Sequence, residues 1–436
     1  MPFTFKIKTL GCPVNQYEGL AVKKAMEDAG FLATEGKADV YIINSCAVTA
    51  QAAAEARRLA SQAKRENPHA LVVLAGCYPQ VYPEEVKERL PQVDVIIGTA
   101  GRARLPEILK RRLLQPGACR EVQVDPGGPG PDLEDLPPAA PGNRTRPVLK
   151  IQEGCDEACT YCVVRVARGR SRSLDPAKVL SRVAELAGAG YREIVLAGNH
   201  LGAYGRDMPG WSLARLIREI DALPYDFRLR LSYIEPMDAG EELLLAIAGS
   251  SKACPFLYLP LQSGSDRILR KMGRRYTAEE FARTVRRARE LMPDASIWSD
   301  VIAGFPGETE EDHRKTIDLA RALGLSHLHV FPFSPRLGTP AALYPDQVAP
   351  DVKKRRVQEL RALDGELALR YHRRFPGRTL RVLVEKVEGG TAEGFSEHYV
   401  RVRFPVSSGA VARGSLVTVR AVAAHPWGVE GVEARN

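Results

Sequence analysis

The sequence has no hydrophobic run of membrane-spanning length, and it opens without a recognisable secretory signal. No apolar stretch approaches the roughly 18 residues that a transmembrane helix needs. The opening segment, MPFTFKIKTLGC, has neither the apolar core nor the small-residue cleavage site of a signal peptide. We therefore predict no membrane association and a cytoplasmic location.

Neither structural disulfide bonds nor a large net charge of one sign is expected. The eight cysteines occur in a chain of 436 residues, which is long enough for roughly three domains with cores of their own. Clustered cysteines in a cytoplasmic protein more often bind metal or take part in chemistry. The net charge of +9 is compatible with a nucleic-acid partner and equally with simple solubility. Apolar and charged fractions of 44% and 26% exclude global disorder.

Residues 1–125 alternate short apolar runs with segments of helical period. The runs VYIIN, LVVLA and VDVII are continuous in hydrophobicity, which is typical of parallel strands covered on both faces. We predict an α/β domain with a parallel sheet. Residues 126–145 are rich in proline and glycine and are predicted to form a linker.

Residues 146–375 repeat a strand–helix pattern six times. The predicted strands are 148–152, 193–197, 227–231, 256–261, 296–302 and 327–333. Six units are too few for a closed eight-stranded barrel, so we predict an open, partial (βα)6 TIM-like barrel with its site at the C-terminal ends of the strands. Residues 376–436 instead carry short alternating strands and glycine-rich turns, which predict a small all-β barrel.

Three cysteines stand close together in the segment GCDEACTYC. Cys155, Cys159 and Cys162 have C-x3-C-x2-C spacing just after the first predicted barrel strand. Cysteine thiolates are ligands for iron–sulfur clusters or zinc. Three protein ligands on a four-iron cluster leave one iron open to a substrate, so we interpret this site as catalytic. A zinc site with a distant fourth ligand is the alternative.

Three further cysteines are separated by about one βαβ unit each. Cys12, Cys46 and Cys77 are 34 and 31 residues apart, and each follows a predicted strand of the N-terminal sheet. The C-terminal ends of parallel strands line one crevice, so we expect these thiols to converge there. The alternative is three unrelated buried thiols. Cys119 and Cys254 have no partner at ligand spacing and are predicted to be inert core thiols.

The cysteine segment at the start of a six-unit half-barrel resembles the radical S-adenosylmethionine superfamily. With the upstream cysteines and the C-terminal β-module, the whole chain resembles its methylthiotransferase family. The segments TLGCPVNQYE, NSCAVT, GCYPQ, YCVVRVARGRSRS and HVFPFSPRLGTPAA are most similar to the branch that acts on threonylcarbamoyladenosine in tRNA. The C-terminal module resembles a TRAM domain, a small RNA-binding β-barrel.

The resemblance implies two 4Fe-4S clusters and S-adenosylmethionine as cofactors. Cys155, Cys159 and Cys162 match the ligands of a radical cluster, and Cys12, Cys46 and Cys77 match those of an auxiliary cluster. One-electron cleavage of S-adenosylmethionine then allows functionalisation of C2 of an adenine. The auxiliary cluster supplies the sulfur, and a second S-adenosylmethionine supplies the methyl group. The expected reaction inserts a methylthio group at C2 of N6-threonylcarbamoyladenosine beside the tRNA anticodon.

Seven further positions match places where the family binds S-adenosylmethionine. They lie in the cluster loop or at and just past predicted strand ends, where a barrel site belongs. A glycine there can also be a plain turn, and the acid or amide can be a cap. The positions are Tyr161, Gly198, Asn199, Glu235, Gln262, Ser263 and Gly304.

Two groups of residues are candidates for contact with RNA. Four arginines follow the cluster loop with no acid among them and are suited to phosphates or to the carboxylate of a modified base. Aromatic residues of the last domain are candidates for stacking on bases. Structural ion pairs and core packing are the respective alternatives. The candidates are Arg165, Arg168, Arg170, Arg172, Phe395, His398 and Tyr399.

The expected partners are a tRNA anticodon stem-loop and a one-electron reductant protein, and we expect a monomer. Three alternative functions stay open at this point. The same chemistry suits isopentenyladenosine in tRNA or an aspartate of a ribosomal protein. A non-catalytic iron–sulfur RNA-binding protein is the third.

Overall fold

The N-terminal part of the chain folds around a six-stranded parallel sheet. The computed structural model describes residues 2–115, 119–125, 128–130, 133–136, 144–406 and 411–434. The strands are β1 (Thr4–Thr9), β2 (Leu32–Ala33), β3 (Val40–Ser45), β4 (Leu71–Gly76), β5 (Val95–Ile97) and β6 (Glu121–Gln123), and the helices are α1 (Pro13–Asp28), α2 (Ala50–Glu66), α3 (Cys77–Val81), α4 (Pro83–Arg89) and α5 (Leu105–Leu114). The strand order is β2-β1-β3-β4-β5-β6, as expected for a parallel α/β domain.

Hydrophobic packing on both faces explains the continuous apolar strands of this sheet. Every residue of β3 is buried, and separate apolar clusters cover the two faces. Helix α2 begins at Thr49, whose side chain accepts a hydrogen bond from the Ala52 amide. Its buried alanines let the helix lie close to the sheet.

The second part of the chain is an open barrel of parallel strands. Its strands are β7 (Val148–Lys150), β8 (Gln152–Glu153), β9 (Arg172–Ser173), β10 (Glu193–Ala197), β11 (Arg228–Leu231), β12 (Phe256–Tyr258), β13 (Ser296–Ala303) and β14 (His327–Pro332). Its helices are α6 (Val164–Arg168), α7 (Pro176–Gly188), α8 (Leu213–Asp221), α9 (Glu241–Gly249), α10 (Asp266–Lys271), α11 (Ala278–Leu291) and α12 (Glu310–Leu323). The main strands form two parallel triplets, β7-β10-β11 and β12-β13-β14.

Single-residue parallel bridges join the two triplets into one open arc. The bridges pair Leu229 with Ala253 and Tyr233 with Tyr258. Strands β7 and β14 are therefore at the two edges, which confirms the partial (βα)6 barrel. The short strands β8 and β9 pair antiparallel outside the arc.

The last part of the chain is a closed five-stranded barrel. Helix α13 (Pro350–His372) leads into strands β15 (Thr379–Glu388), β16 (Thr391–Phe395), β17 (Arg401–Pro405), β18 (Leu416–His425) and β19 (Gly428–Glu433). The strands close in the order β15-β16-β17-β19-β18 around their own apolar core. This confirms the small all-β barrel expected for a TRAM domain.

The described part of the predicted linker packs against its neighbours. The Tyr17 hydroxyl donates to the carbonyl of Leu136, which is buried, and Glu134 pairs with Arg102. Asp135 pairs with Arg182 at 2.5 Å. The domain limits at 125, 145 and 375 stay predictions. Among the helices that the structure describes, none has the length and apolar character to cross a membrane.

Candidate active site

The loop that carries Cys155, Cys159 and Cys162 follows β8 and precedes α6. Gly154 turns the chain at its start with φ of +79°, and a Cβ there would lie 1.9 Å from the Arg170 carbonyl oxygen. Only glycine fits this position. The Cys155 amide donates to the Gly169 carbonyl at 3.1 Å, which ties the two ends of the loop together.

The second group of thiols lies at the C-terminal ends of three adjacent strands. Cys12 follows β1, Cys46 follows β3, and Cys77 begins α3 directly after β4. Gly11 has φ of +97°, and a Cβ there would lie 2.7 Å from the Cys46 Cβ. Because β1, β3 and β4 are neighbours in the sheet, these thiols lie at one edge of it, as the sequence predicts.

Both groups of cysteines line one cavity of about 1050 Å³ between the domains. All six thiols are free of disulfides. The volume lies at the upper limit for a small-molecule site, so it has room for a cofactor together with part of a substrate. Cys254 is buried elsewhere, as predicted, whereas Cys119 is exposed and the prediction of a core thiol is wrong there.

Both groups supply the thiol ligands that iron–sulfur clusters use. Within the described residues, no three His, Cys, Asp or Glu side chains are grouped to hold one ion. In a cluster each thiolate binds a different iron, so its ligands need not converge on one point. Burial raises the pKa of Cys46, Cys155 and Cys162 to about 12, so iron binding must displace protons from these thiols.

Nitrogen donors lie beside a sulfur in each group. The Arg168 Nε donates to Cys77 Sγ at 3.2 Å, and the Arg274 Nη1 donates to Cys159 Sγ at 3.3 Å. The His200 Nδ1 lies 3.4 Å from Cys155 Sγ. The two guanidinium groups are positively charged and stabilise iron-bound thiolates, which are anionic.

Two of these neighbours were not predicted from the sequence. Arg274 comes from the segment after α10 and also pairs with Glu235. His200 is held by Asp238, whose Oδ2 lies 2.5 Å from its Nε2, and Asp238 also pairs with Arg206. These contacts join residues from different strand ends, and no short motif encodes them.

Four of the seven predicted cofactor residues line the cavity: Tyr161, Asn199, Glu235 and Gln262. The Asn199 Oδ1 accepts from the Gly154 amide at 3.2 Å, which ties this strand end to the cysteine loop. Gln262 adopts φ of +62°, an uncommon backbone conformation for a residue other than glycine. Their contact with S-adenosylmethionine stays a prediction.

The other three cofactor positions have structural roles. Ser263 is fully buried, its hydroxyl accepts from the Ser265 amide at 3.2 Å, and its contact with the cofactor stays a prediction. The Gly304 amide donates to the Glu308 carboxylate at 2.7 Å. A Cβ on Gly198 would lie 2.6 Å from the Gln152 Oε1. Neither glycine lines the cavity, and backbone contact with the cofactor stays a prediction for both.

The arginine run divides into buried and exposed members. Arg168 is 1% exposed, binds Glu18 and Glu153, and lines the cavity. Arg172 is also buried, and it donates to the Arg168 carbonyl at 2.8 Å. Contact of these two arginines with substrate stays a prediction.

Arg165 and Arg170 are exposed; Arg165 lines the cavity, and Arg170 does not. Arg170 approaches Asp156 at 3.7 Å. Their contact with substrate stays a prediction.

The aromatic candidates of the C-terminal barrel also differ from one another. His398 is buried against Phe375, and burial lowers its pKa to about 4, so its predicted stacking on RNA bases is wrong. Phe395 and Tyr399 are half-buried, with ring centroids 4.9 Å apart. Tyr399 lines the cavity. Base stacking by these two rings stays a prediction.

Comparison with known proteins agrees with this arrangement. Residues 149–320 match the Radical SAM superfamily, and residues 4–98 match the uncharacterized protein family UPF0004. The solved structure of TsrM, a radical S-adenosylmethionine methyltransferase from Kitasatospora setae, has a similar fold with a TM-score of 0.56 and 19% identity, covering 79% of this chain and 77% of TsrM.

Similarity to curated proteins extends over nearly the whole chain. The threonylcarbamoyladenosine tRNA methylthiotransferase MtaB of Thermotoga maritima is 38% identical over 92% of this chain and 91% of its own length. MtaB of Bacillus subtilis is 37% identical over 97% and 95%. The tRNA-2-methylthio-N(6)-dimethylallyladenosine synthase of Symbiobacterium thermophilum is 34% identical over 98% and 93%. This chain therefore belongs to the radical S-adenosylmethionine methylthiotransferase family.

Proposed function

We propose that this enzyme transfers a methylthio group to C2 of N6-threonylcarbamoyladenosine beside the tRNA anticodon. The observation that carries the proposal is the single cavity lined by both groups of three cysteines. Methylthio transfer needs a radical centre and a sulfur source within reach of one substrate atom. The MtaB relatives, at 37–38% identity, support the choice of nucleoside.

The residues of the chain fit two 4Fe-4S clusters, one on each group of thiols. When bound, the clusters and S-adenosylmethionine supply the radical and sulfur chemistry. The protein holds the sulfurs in place through Arg168, Arg274 and His200. Tyr161 and Glu235 line the cavity beside the cysteine loop, where they are placed to orient the cofactor.

Methylthiolation of dimethylallyladenosine is the second candidate. It is favoured by relatives of 34–37% identity that are named as synthases of that product. The ribosomal aspartate and the non-catalytic iron–sulfur protein have no support from the relatives compared. We expect a monomeric cytoplasmic enzyme that receives electrons from a one-electron reductant protein.

An anaerobic assay tests the proposal. The reconstituted protein is mixed with reductant, S-adenosylmethionine and tRNA carrying threonylcarbamoyladenosine, and the digested nucleosides are analysed by mass spectrometry. The expected product is heavier by one sulfur and one CH2. Parallel reactions with dimethylallyladenosine tRNA serve as the comparison. Product from that tRNA alone would reject the proposed substrate, and no 5′-deoxyadenosine from protein with both clusters verified would reject the radical reaction.

A further inference from the structure

An arginine–aromatic wall lines the cavity where the open barrel meets the C-terminal barrel. It consists of Arg146, Arg230, Phe256, Trp298 and Tyr399. The Tyr399 ring lies 4.8 Å from Trp298 and 5.1 Å from Phe256, measured between centroids. The Arg230 guanidinium carbon lies 4.5 Å from the centre of the Tyr399 ring. Such a wall suits an anionic or planar ligand group.

Arg146 has one donor atom without an acceptor. Its Nη2 donates to the Glu385 Oε1 at 2.6 Å, and its guanidinium carbon lies 5.0 Å and 4.9 Å from the ring centres of Phe395 and Tyr399. Its Nη1 is buried and makes no hydrogen bond. It forms an ion pair with the Glu193 Oε1 at 3.7 Å, which is beyond hydrogen-bond distance. A buried, charged donor is costly to leave without a hydrogen bond, so this atom points to an acceptor that a ligand supplies.

The neighbouring arginine is already satisfied. The Arg230 Nε donates to Glu193 at 2.6 Å, and its Nη1 and Nη2 donate to the backbone carbonyls of Glu397 and Ser396 at 3.3 Å and 3.2 Å. Arg228 also has an unpaired Nε, but Arg228 does not line the cavity. Of the two arginines in the wall, Arg146 is therefore the one with a donor atom that still lacks a hydrogen bond.

We propose that the Arg146 Nη1 binds the carboxylate of the threonyl group on the target nucleoside. This inference rests on the proposed function. A carboxylate supplies the missing acceptor in a charge-assisted hydrogen bond, with Tyr399 and Trp298 packing beside the group. A dimethylallyl group has no acceptor and leaves Nη1 buried without a hydrogen bond. The same contact therefore gives the enzyme its preference for the threonylcarbamoyl nucleoside over the prenylated one.

The test compares two anticodon stem-loop RNAs that differ in one group. One carries threonylcarbamoyladenosine, and the other carries the same nucleoside with the carboxylate replaced by a neutral carboxamide. Dissociation constants are measured by fluorescence anisotropy on the reconstituted protein. We expect the wild type to prefer the carboxylate RNA by about 10-fold or more, the factor for a hydrogen bond to a charged group. Arg146→Met reduces this ratio to near one, and Arg146→Lys keeps part of it.

The ratio separates recognition from folding, because a partly unfolded variant binds both RNAs less well to the same extent. Arg378→Met is the matched control, since Arg378 pairs with Asp294 at 2.6 Å in the same domain contact and does not line the cavity. It should keep the wild-type ratio. An unchanged ratio in Arg146→Met, or no preference in the wild type, overturns the inference. A phosphate contact at Arg146 lowers both affinities equally and also overturns it. Whether the wild type forms the methylthio product is measured separately and tests the proposed function.

Discussion

At the scale of single residues, the two groups of cysteines have separable roles. Cys155→Ala removes a ligand of the radical cluster and should abolish formation of 5′-deoxyadenosine. Cys46→Ala removes a ligand from the other group and should leave this cleavage detectable while stopping formation of the methylthio nucleoside. Both products are quantified by mass spectrometry of the same reaction. Cys119→Ser is the control, because Cys119 is exposed and lies outside both groups.

The Cys46 variant decides between the two interpretations of the upstream thiols. Normal yield of the methylthio product from Cys46→Ala would show that the three upstream cysteines hold no sulfur donor. Loss of iron from that variant, measured by chemical analysis, should match one cluster rather than two. The control variant should retain the wild-type iron content and both products.

Single-residue contacts were only partly predictable from the sequence. The convergence of Cys12, Cys46 and Cys77 follows from strand order alone, because each thiol follows a strand of one parallel sheet. The Arg168 contact with Cys77 spans 91 residues and depends on how the open barrel packs against the N-terminal domain. A run of arginines next to a site indicates charge, but the sequence does not say which side chains are buried.

At the scale of elements, helix α6 connects the two cysteine groups. It begins two residues after Cys162, and its last residue, Arg168, binds Cys77 and the buried acids Glu18 and Glu153. Arg168→Met removes one cationic partner from these carboxylates, which keep Lys150 and, for Glu18, also Arg102. It should therefore destabilise the protein by less than the roughly 3–5 kcal/mol lost when a buried ion pair is broken outright. Removing a donor and a positive charge from the sulfur should also lower the midpoint potential of the auxiliary cluster.

Two measurements check the role of Arg168. Thermal unfolding reports the loss of stability. A redox titration followed by electron paramagnetic resonance, in a background that lacks the radical-cluster cysteines, reports the potential. Arg170→Met is the matched control, since the Arg170 side chain is 82% exposed. An unchanged potential in the Arg168 variant would limit its role to packing.

The elements themselves were largely predictable, and the exceptions have physical reasons. The predicted limits of strand β10 agree with the structure, because all but one of its residues are buried. Strands β2 and β6 were not predicted. Both are short edge strands, neither is fully buried, and their pairing comes from the neighbouring strand rather than from their own residues.

At the scale of the whole molecule, one buried carboxylate connects the two barrels. Glu193 of β10 is fully buried and binds Arg228 and Arg230. These arginines also donate to backbone carbonyls of the C-terminal barrel, at Arg381 and Ser396. Burial alone would raise the pKa of Glu193, but the arginines outweigh it and lower the pKa to about 2.

The pKa of Glu193 predicts how stability depends on pH. Its value in the unfolded chain is near 4.5, so the folded protein binds this proton less readily than the unfolded chain does. The contribution of Glu193 is therefore complete above about pH 4.5 and is lost as the pH falls toward 2. The contribution of Glu193 to the free energy of unfolding is about 3 kcal/mol, because its pKa differs by about 2.5 between the unfolded and the folded chain. Urea unfolding at several pH values, followed by fluorescence, measures this loss.

Glu193→Gln should remove this part of the pH dependence and lower stability at neutral pH, because two buried arginines lose their partner. Glu310→Gln is the matched comparison. Glu310 also has a pKa lowered to about 2, by hydrogen bonds from Arg355 and Arg356, but its side chain is 54% exposed. Solvent and salt screen the ion pairs of Glu310, so Glu310→Gln should change stability at acidic pH far less than Glu193→Gln does. Equal effects of the two substitutions would contradict the view that Glu193 holds the two barrels together.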